Sequence, residues 1–524
     1  MCNDSLCKDG EDYSGFINGN GKVLNGVLVG LESGDVIPCG PFTPKSFANS
    51  ILSCFSCTKM KAIILKAFEI DSFQYSNNIE YCNEIKAKFY EANPKVSCYF
   101  ISFDHYWLSS MLIAANLTLN PGEFLLMGIT SCKSIDVFEL KFTETGYIIT
   151  DKRSVNIDSK NDDEEKDDEE VRNAILGNGD PKKILIMTLS ANNPTMVLLK
   201  NVLISPKLMA FERNQVENDG RFCQEITKWI LNKKKTKYYI LPTCSRKYVV
   251  TDTVDGSGIP LIVADTHEAL PLVKSCVIPR TTLNLSMSYI DDITGKPKVI
   301  NIKKFGRKCH QYNVTLNIKS KNSALCQVES IILPAIESFP RQITAVDQSE
   351  IPVVGFFDQS SVICIWNDEK NVYEFCQAWN GVYGNDMFLN FNQEKPSFGQ
   401  KAFDLFQTKP DSAVYDLIKI MSMPSSAIKV NPKWNFKVTE DAEHGVLLDF
   451  ASHDGDRRAA SPSFLMAIML KEHIKVIKKE SGTKPEVLGF SVLKGFNEEE
   501  KERIKQQIEE SCRLLSVECR FLNV

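Results

Sequence analysis

The sequence predicts a multidomain α/β chain carrying one all-β region, and three observations predict it. From Ile351 onward two apolar runs, Pro352-Val353-Val354-Gly355-Phe356-Phe357 and Val362-Ile363-Cys364-Ile365-Trp366, flank the polar turn Asp358-Gln359-Ser360-Ser361. That is the pattern of a hairpin, and a helix–strand–helix–strand series follows it. An earlier stretch, 24–105, carries elements in a similar order. Between 238 and 335, short strand-like runs separated by turn residues replace helical periodicity.

Each element has a local reason. Ser461 is a good N-cap with Pro462 in the first helical turn, and the helix they open runs to Glu480 before Gly482 stops it. Pro485 to Val492 reads as a buried strand. Asn497 with Glu500 has capping-box form, and apolar residues recur at Ile504, Ile508 and Cys512. In the earlier copy, Lys61-Ala62-Ile63-Ile64-Leu65-Lys66-Ala67-Phe68 stands where Glu486 to Leu493 stands later, and Val96 to Phe100 matches Val517 to Phe521. Helices are expected around Ile51–Phe55 and over Ile79, Asn83 and Lys86–Tyr90. Val23–Leu31 reads as a strand or hairpin and Ala62–Leu65 as a strand.

At 524 residues the chain can build several cores, and 43% hydrophobic with 24% charged residues is an ordinary globular balance. A net charge of −5 gives no reason to expect nucleic acid or an anionic membrane as partner. Met1-Cys2-Asn3-Asp4-Ser5 lacks the form of a signal peptide, no apolar run is long enough for a bilayer, and 17 scattered cysteines are an odd count for a secreted disulfide framework. Cytoplasm or nucleus is the expected compartment. Cys54-Phe55-Ser56-Cys57 has zinc-ligand spacing without a second pair, so core cysteines are expected and no metal site. Asp255-Gly256-Ser257-Gly258 and Asn18-Gly19-Asn20-Gly21 lack a following Lys-Ser/Thr and read as turns. The six histidines, His105, His267, His310, His444, His453 and His473, sit in no hydrolase motif.

The ordered series from Val353 to the C-terminus resembles the first lobe of the nucleotide-binding domain of the seventy-kilodalton heat-shock (DnaK-type) chaperones, members of the actin-like ATPase superfamily. The stretch His105 to Ala115 resembles that family's helix between the lobes, and Asp219 to Leu231 its closing helix of the second lobe. Val277-Ile278-Pro279-Arg280-Thr281-Thr282 resembles a strand of its β-sandwich peptide-binding domain. The resemblance implies ribonuclease-H-like α/β lobes plus an all-β peptide-binding-like domain. The expected division is a flexible leader at 1–23 and a degenerate nucleotide-binding region at 24–237, comprising a partial first lobe 24–105, a shortened second lobe 120–237 and an acidic loop 158–171. A sandwich at 238–335, a linker at 336–350 and a first-lobe-like region at 351–524 follow. Because 24–105 is directly connected to the second lobe, it loses less loop-closure entropy in packing there than the C-terminal copy does.

The resemblance also says where the chemistry should be. The family's phosphate loop falls on Gly355-Phe356-Phe357-Asp358-Gln359-Ser360-Ser361, with Phe357 at the acid's position and Gln359 at the loop glycine. Its catalytic lysine falls on Ile418, beside a Lys419 that should face solvent. Its second phosphate loop becomes Ile129-Thr130-Ser131-Cys132-Lys133-Ser134, and its adenosine-side glycines become Thr188-Leu189-Ser190. The surviving nucleotide-binding candidates are Gly355, Asp358, Ser360, Ser361 and Ser190; no catalytic residue remains. The expectation is a pseudo-ATPase that binds polypeptide clients or co-chaperone-like proteins and needs no cofactor. An ATP-dependent folding chaperone holding ATP and magnesium between its lobes is the alternative, and a structural interaction scaffold the second.

Overall fold

The computed structural model describes all residues except 1–6, 56–57, 71–73, 158–167, 191, 254–255, 283, 292–293, 441–444 and 494. It is a mixed α/β, multidomain chain in two compact units. The N-terminal unit holds 1–278, 282–305 and 313–328; the C-terminal unit holds 279–281, 306–312 and 329–524.

The N-terminal unit opens with β1 (Tyr13–Asn20), β2 (Val23–Gly30), β3 (Val36–Pro38), α1 (Pro44–Cys54), β4 (Met60–Lys66), α2 (Asn78–Ala92), β5 (Ser97–Phe100) and α3 (Phe103–Ala115). The first three strands form an antiparallel meander, and β4 then β5 add in parallel on the far side of β1, giving the order β3-β2-β1-β4-β5. A second series follows: β6 (Phe124–Thr130), β7 (Ser134–Thr143), β8 (Gly146–Asn156), α4 (Asp168–Leu176), β9 (Lys183–Thr188), α5 (Pro194–Val202), β10 (Leu208–Glu212), α6 (Arg213–Val216) and α7 (Asp219–Leu231). Its sheet, β10-β9-β6-β7-β8, repeats both the order and the antiparallel–parallel pattern of the first.

Alternation along the parallel strands sets the layers. In β4, Ala62 and Ile64 join one core cluster while Ile63 and Leu65 join another. The first cluster also takes Tyr106 and Leu108 of α3, Met127 and Leu185 of the second sheet, and Phe222 and Ile226 of α7. One face of each sheet thus shares a core with α3 and α7, as the loop-closure argument expects of directly connected segments.

The strands that follow are β11 (Tyr248–Thr251), β12 (Pro260–Ala264), β13 (Leu272–Pro279), β14 (Asn284–Ile290), β15 (Pro297–Lys304), β16 (Gln311–Ile318) and β17 (Ala324–Ile331). They make a four-stranded sheet, β12-β11-β14-β15, and a three-stranded one, β13-β16-β17, fitting the all-β reading of 238–335.

The C-terminal unit then contains α8 (Pro334–Glu337), α9 (Phe339–Val346), β18 (Val353–Phe357), β19 (Ser360–Asn367) and β20 (Val372–Phe375). An insertion follows with β21 (Asn385–Asp386), β22 (Leu389–Asn390), β23 (Ser397–Phe398), α10 (Gly399–Phe406), β24 (Ala413–Val414), α11 (Leu417–Ser422), β25 (Lys437–Thr439), β26 (Leu447–Ala451) and β27 (Arg457–Ala460). The chain ends with α12 (Pro462–Ser481), β28 (Val487–Val492), α13 (Glu498–Leu515) and β29 (Glu518–Phe521). Ser461 caps α12, Gly482 ends it at φ +82°, and Asn497 with Glu500 forms the capping box of α13, all as the sequence predicts. The sheet β20-β19-β18-β28-β29 is the third with the same order and pattern.

Three boundaries are corrected. The supposed leader 1–23 contains β1, whose Tyr13, Phe16 and Ile17 are buried. The supposed linker 336–350 contains α9, and Ile336, Phe339 and Ile343 sit in the core against Val353, Phe357 and Val362. Of the acidic loop 158–171, Asp168, Glu169 and Glu170 form the first turn of α4, where carboxylates complement the helix dipole; residues 158–167 lie outside the described residues.

Phe339 is therefore a core residue. Phe339→Ala should cost the C-terminal unit about 3–5 kcal/mol, read by chemical denaturation. Limited proteolysis should cut the variant within 336–350 and spare the parent chain there.

Candidate functional site

The β18–β19 hairpin was the expected phosphate loop, and it turns at Asp358, which adopts φ +45°. Asp358 is exposed, and its carboxylate accepts a 2.7 Å hydrogen bond from Gln311 Nε2. Gln359 donates to Thr281 Oγ1. Gly355 lies inside β18, where a Cβ would come 2.7 Å from the Phe339 ring and 2.9 Å from Leu493, so core packing demands this glycine. Phe357, at the acid's position, is buried beside the His310 ring at 5.1 Å.

The two serine hydroxyls point into the protein. Ser360 donates to Asp386 Oδ1 at 2.9 Å and accepts from the Arg280 guanidinium at 3.0 Å. Arg280 is 4% exposed. Its Nε donates to Asp386 Oδ1 at 2.7 Å, and its two terminal nitrogens reach the Cys309, Tyr383 and Gly384 carbonyls as well as Ser360. Arg307 meets Asp386 Oδ2 at 2.9 Å and lies 3.9 Å over the Phe403 ring. A guanidinium has five N–H donors, and Arg280 has five acceptors. Sequence reasoning missed Arg280 and Asp386, because nothing local in Val277–Thr282 or Gly384–Leu389 pairs the two residues.

Ser361 is equally enclosed. His473 Nδ1 donates to the Met469 carbonyl at 2.9 Å, so its Nε2 accepts the Ser361 hydroxyl proton at 2.8 Å. Trp379 Nε1 donates to the same serine. A serine hydroxyl on an imidazole is a nucleophile–base contact in distance, but both residues are wholly buried, with no approach for a substrate. Ile418, at the lysine's position, is buried, and Lys419 faces solvent as expected.

Ser190, the remaining candidate, belongs to the N-terminal unit. Its N–H donates to Thr188 Oγ1, and its carbonyl accepts from that hydroxyl at 2.9 Å. Asn193 Nδ2 ties Thr130, the Ser131 carbonyl and Thr188 together, and Thr195 donates to the Cys132 carbonyl. The β6–β7 turn, which stands where a second phosphate loop was expected, thus has its polar groups matched by its own neighbours. Gly355, Asp358, Ser360 and Ser361 share one hairpin, in which Ser360 and Ser361 are buried while Asp358 faces solvent.

Two open cavities lie elsewhere. One of about 600 Å³ in the N-terminal unit is lined by Glu69, Asp104, Lys152, Cys244 and His267, among others. Lys152 can only donate, so His267 Nε2 accepts from it at 2.7 Å, and Asp104 lies 3.3 Å from the lysine. Burial, then the lysine's charge, pushes the His267 pKa down, and the Cys244 thiol is pushed up to about 12 by burial, which leaves a protonated thiol rather than a nucleophile. The other cavity, about 920 Å³ in the C-terminal unit, is lined by Met421, Leu447, Phe464, Arg503 and Glu510, among others. Among the described residues no cluster of three His, Cys, Asp or Glu could hold a metal ion, and no helix is long and apolar enough to cross a membrane. Cys57, Asp255 and His444 lie outside the described residues.

Two outcomes follow from this geometry. Arg280→Met leaves the buried Asp386 with a single cationic partner, and should destabilise the C-terminal unit by about 3–5 kcal/mol in denaturant melts without creating a nucleotide site. Burial pushes His105 and His473 down to about 4 from an ordinary 6.5, and lowers His267 and His310 too. The unfolded chain takes up those protons first, so their contribution to stability is complete above pH 6.5 and is lost as pH falls from 6.5 toward 4. Melting temperature followed by circular dichroism should fall across that window, and less steeply for His473→Phe. No family model and no curated protein sequence matches the chain.

Proposed function

We propose that the chain is a catalytically silent, rearranged relative of the seventy-kilodalton heat-shock chaperones, which binds polypeptide without hydrolysing ATP. The reading takes the three sheets of common order as actin-like, ribonuclease-H-like lobes, and β11–β17 as a peptide-binding-like sandwich. The inward-facing partners of Ser360, Ser361 and Thr188 support the loss of nucleotide chemistry, since a bound phosphate needs donors left free to meet it. The observation that carries the binding function is β13. It is an edge strand of its sheet, with Val273 61% and Val277 57% exposed, and no other described strand pairs with its free side. An apolar, unpaired edge offers main-chain hydrogen bonds and alternate side-chain contacts to an extended peptide.

Fluorescence anisotropy of a labelled, extended apolar peptide on the full chain tests this. Binding should be saturable and become about tenfold weaker, a change of about 1.4 kcal/mol, in Val277→Asp. MgATP titrated into the same protein should give no binding heat. Tight MgATP binding with magnesium-dependent turnover would favour an ATP-dependent chaperone, and a chain that takes neither ligand would be a scaffold.

A further inference from the structure

Against the net negative charge of the chain, one surface of the N-terminal unit is locally basic. After α7 the chain runs Asn232-Lys233-Lys234-Lys235-Thr236-Lys237 with no acidic residue, and Lys233, Lys234, Lys235 and Lys237 are exposed. Burial lowers the Lys233 pKa, and the charge of Lys321, between β16 and β17, lowers it further. Lys86 of α2 lines a small cleft together with Lys321. Among the described residues none of Lys86, Lys233, Lys234, Lys235 or Lys321 forms an ion pair; Lys321 donates only to the Cys98 carbonyl, at 3.2 Å. Three separate segments therefore bring like charges together, and none of these five lysines is ion-paired among the described residues.

The surface is also pre-shaped. The Lys233 ammonium sits 3.2 Å from the centroid of the Trp229 ring, and Trp229 stacks at 3.5 Å on Tyr239. Cation–π contact holds the charge in place while leaving it unneutralised.

We propose that this lysine surface docks an acidic segment of a polypeptide partner. The proposal rests on the reading of the chain as a polypeptide-binding protein and adds the chemistry of the partner. Single-stranded nucleic acid is disfavoured because base stacking needs a free aromatic face, and both faces of Trp229 are covered.

The probe is fluorescein-labelled oligoglutamate titrated into the full chain at low salt, with single-stranded RNA and phosphatidylserine vesicles as parallel arms. Oligoglutamate should bind saturably, weaken steeply as salt rises, and lose about tenfold in affinity in the variant carrying Lys233→Glu, Lys235→Glu and Lys321→Glu. That variant should keep its melting temperature and its grip on the apolar peptide. No oligoglutamate binding beside normal apolar-peptide binding overturns this proposal and leaves the polypeptide-binding reading standing. Tighter binding of RNA or of vesicles than of oligoglutamate overturns it in favour of those partners. Failure of both peptides overturns the underlying reading as well.

Discussion

One guanidinium organises the tip of the C-terminal sheet. Taking a charged group out of water is costly unless every donor finds an acceptor, and Arg280 meets that condition with a carboxylate, a hydroxyl and three carbonyls. The constraint spreads from there. The Tyr383 and Gly384 carbonyls can face Arg280 only if the turn at 381–384 is tight, and Gly384 adopts φ +59°, with Ser361 O 2.1 Å from where a Cβ would be. Ser360 must hold its rotamer to bridge Arg280 and Asp386. The β18–β19 hairpin, the 380s turn and the segments 279–281 and 306–312 are therefore one polar assembly, and its hydrogen-bonding capacity is directed inward.

The second sheet of the N-terminal unit reaches a comparable closure with neutral chemistry. There a buried amide, Asn193, gathers two hydroxyls and a carbonyl at the ends of β6 and β9. No charge is desolvated, so the arrangement demands less of its surroundings, and removal of one partner leaves an unmatched hydroxyl rather than an unmatched ion. Two turns at corresponding points of sheets with the same strand order are thus closed by different groups, a charged pair in one and an amide in the other.

Much of the fold was legible because its signals are local. Ser461, Pro462 and Gly482 delimit α12, Asn497 and Glu500 start α13, and the buried parallel strands read as short apolar runs. What the sequence hid depends on distant partners. β1 is rich in Ser, Gly and Asn and looks like a loop; it is a central strand because Ser14 donates to the Ala62 carbonyl and accepts from Thr227, and because Gly19 leaves space for Ile70. The stripe Ile336, Phe339, Ile343 has helical spacing, but it is short and lies next to Pro334 and Pro340, so its burial depends on the distant β18 and β19 that it packs against. In the sequence Ser360 and Ser361 stand out only as polar residues between two apolar runs. Their partners, 80 residues away at Arg280 and 112 away at His473, carry no local signature that would have announced an enclosed network instead of an open loop.

The separation of these two kinds of signal has a consequence for how such a chain can change. The three sheets are held by residues such as Ile63 and Leu65, Leu185 and Met187, or Leu488 and Phe490, which lie on parallel strands buried on both faces. Exchange of any of these for a polar group would leave an unsatisfied atom in the core. Hairpin tips are different, because their residues are bounded on one side by solvent and by side chains that can be replaced in concert. At the β18–β19 tip Phe357 is buried and Gln359 has a partner in Thr281. The same strand order can therefore recur three times in one chain with differently filled tips, provided that each tip matches its buried donors with acceptors, which is the condition Arg280 and Asn193 each satisfy.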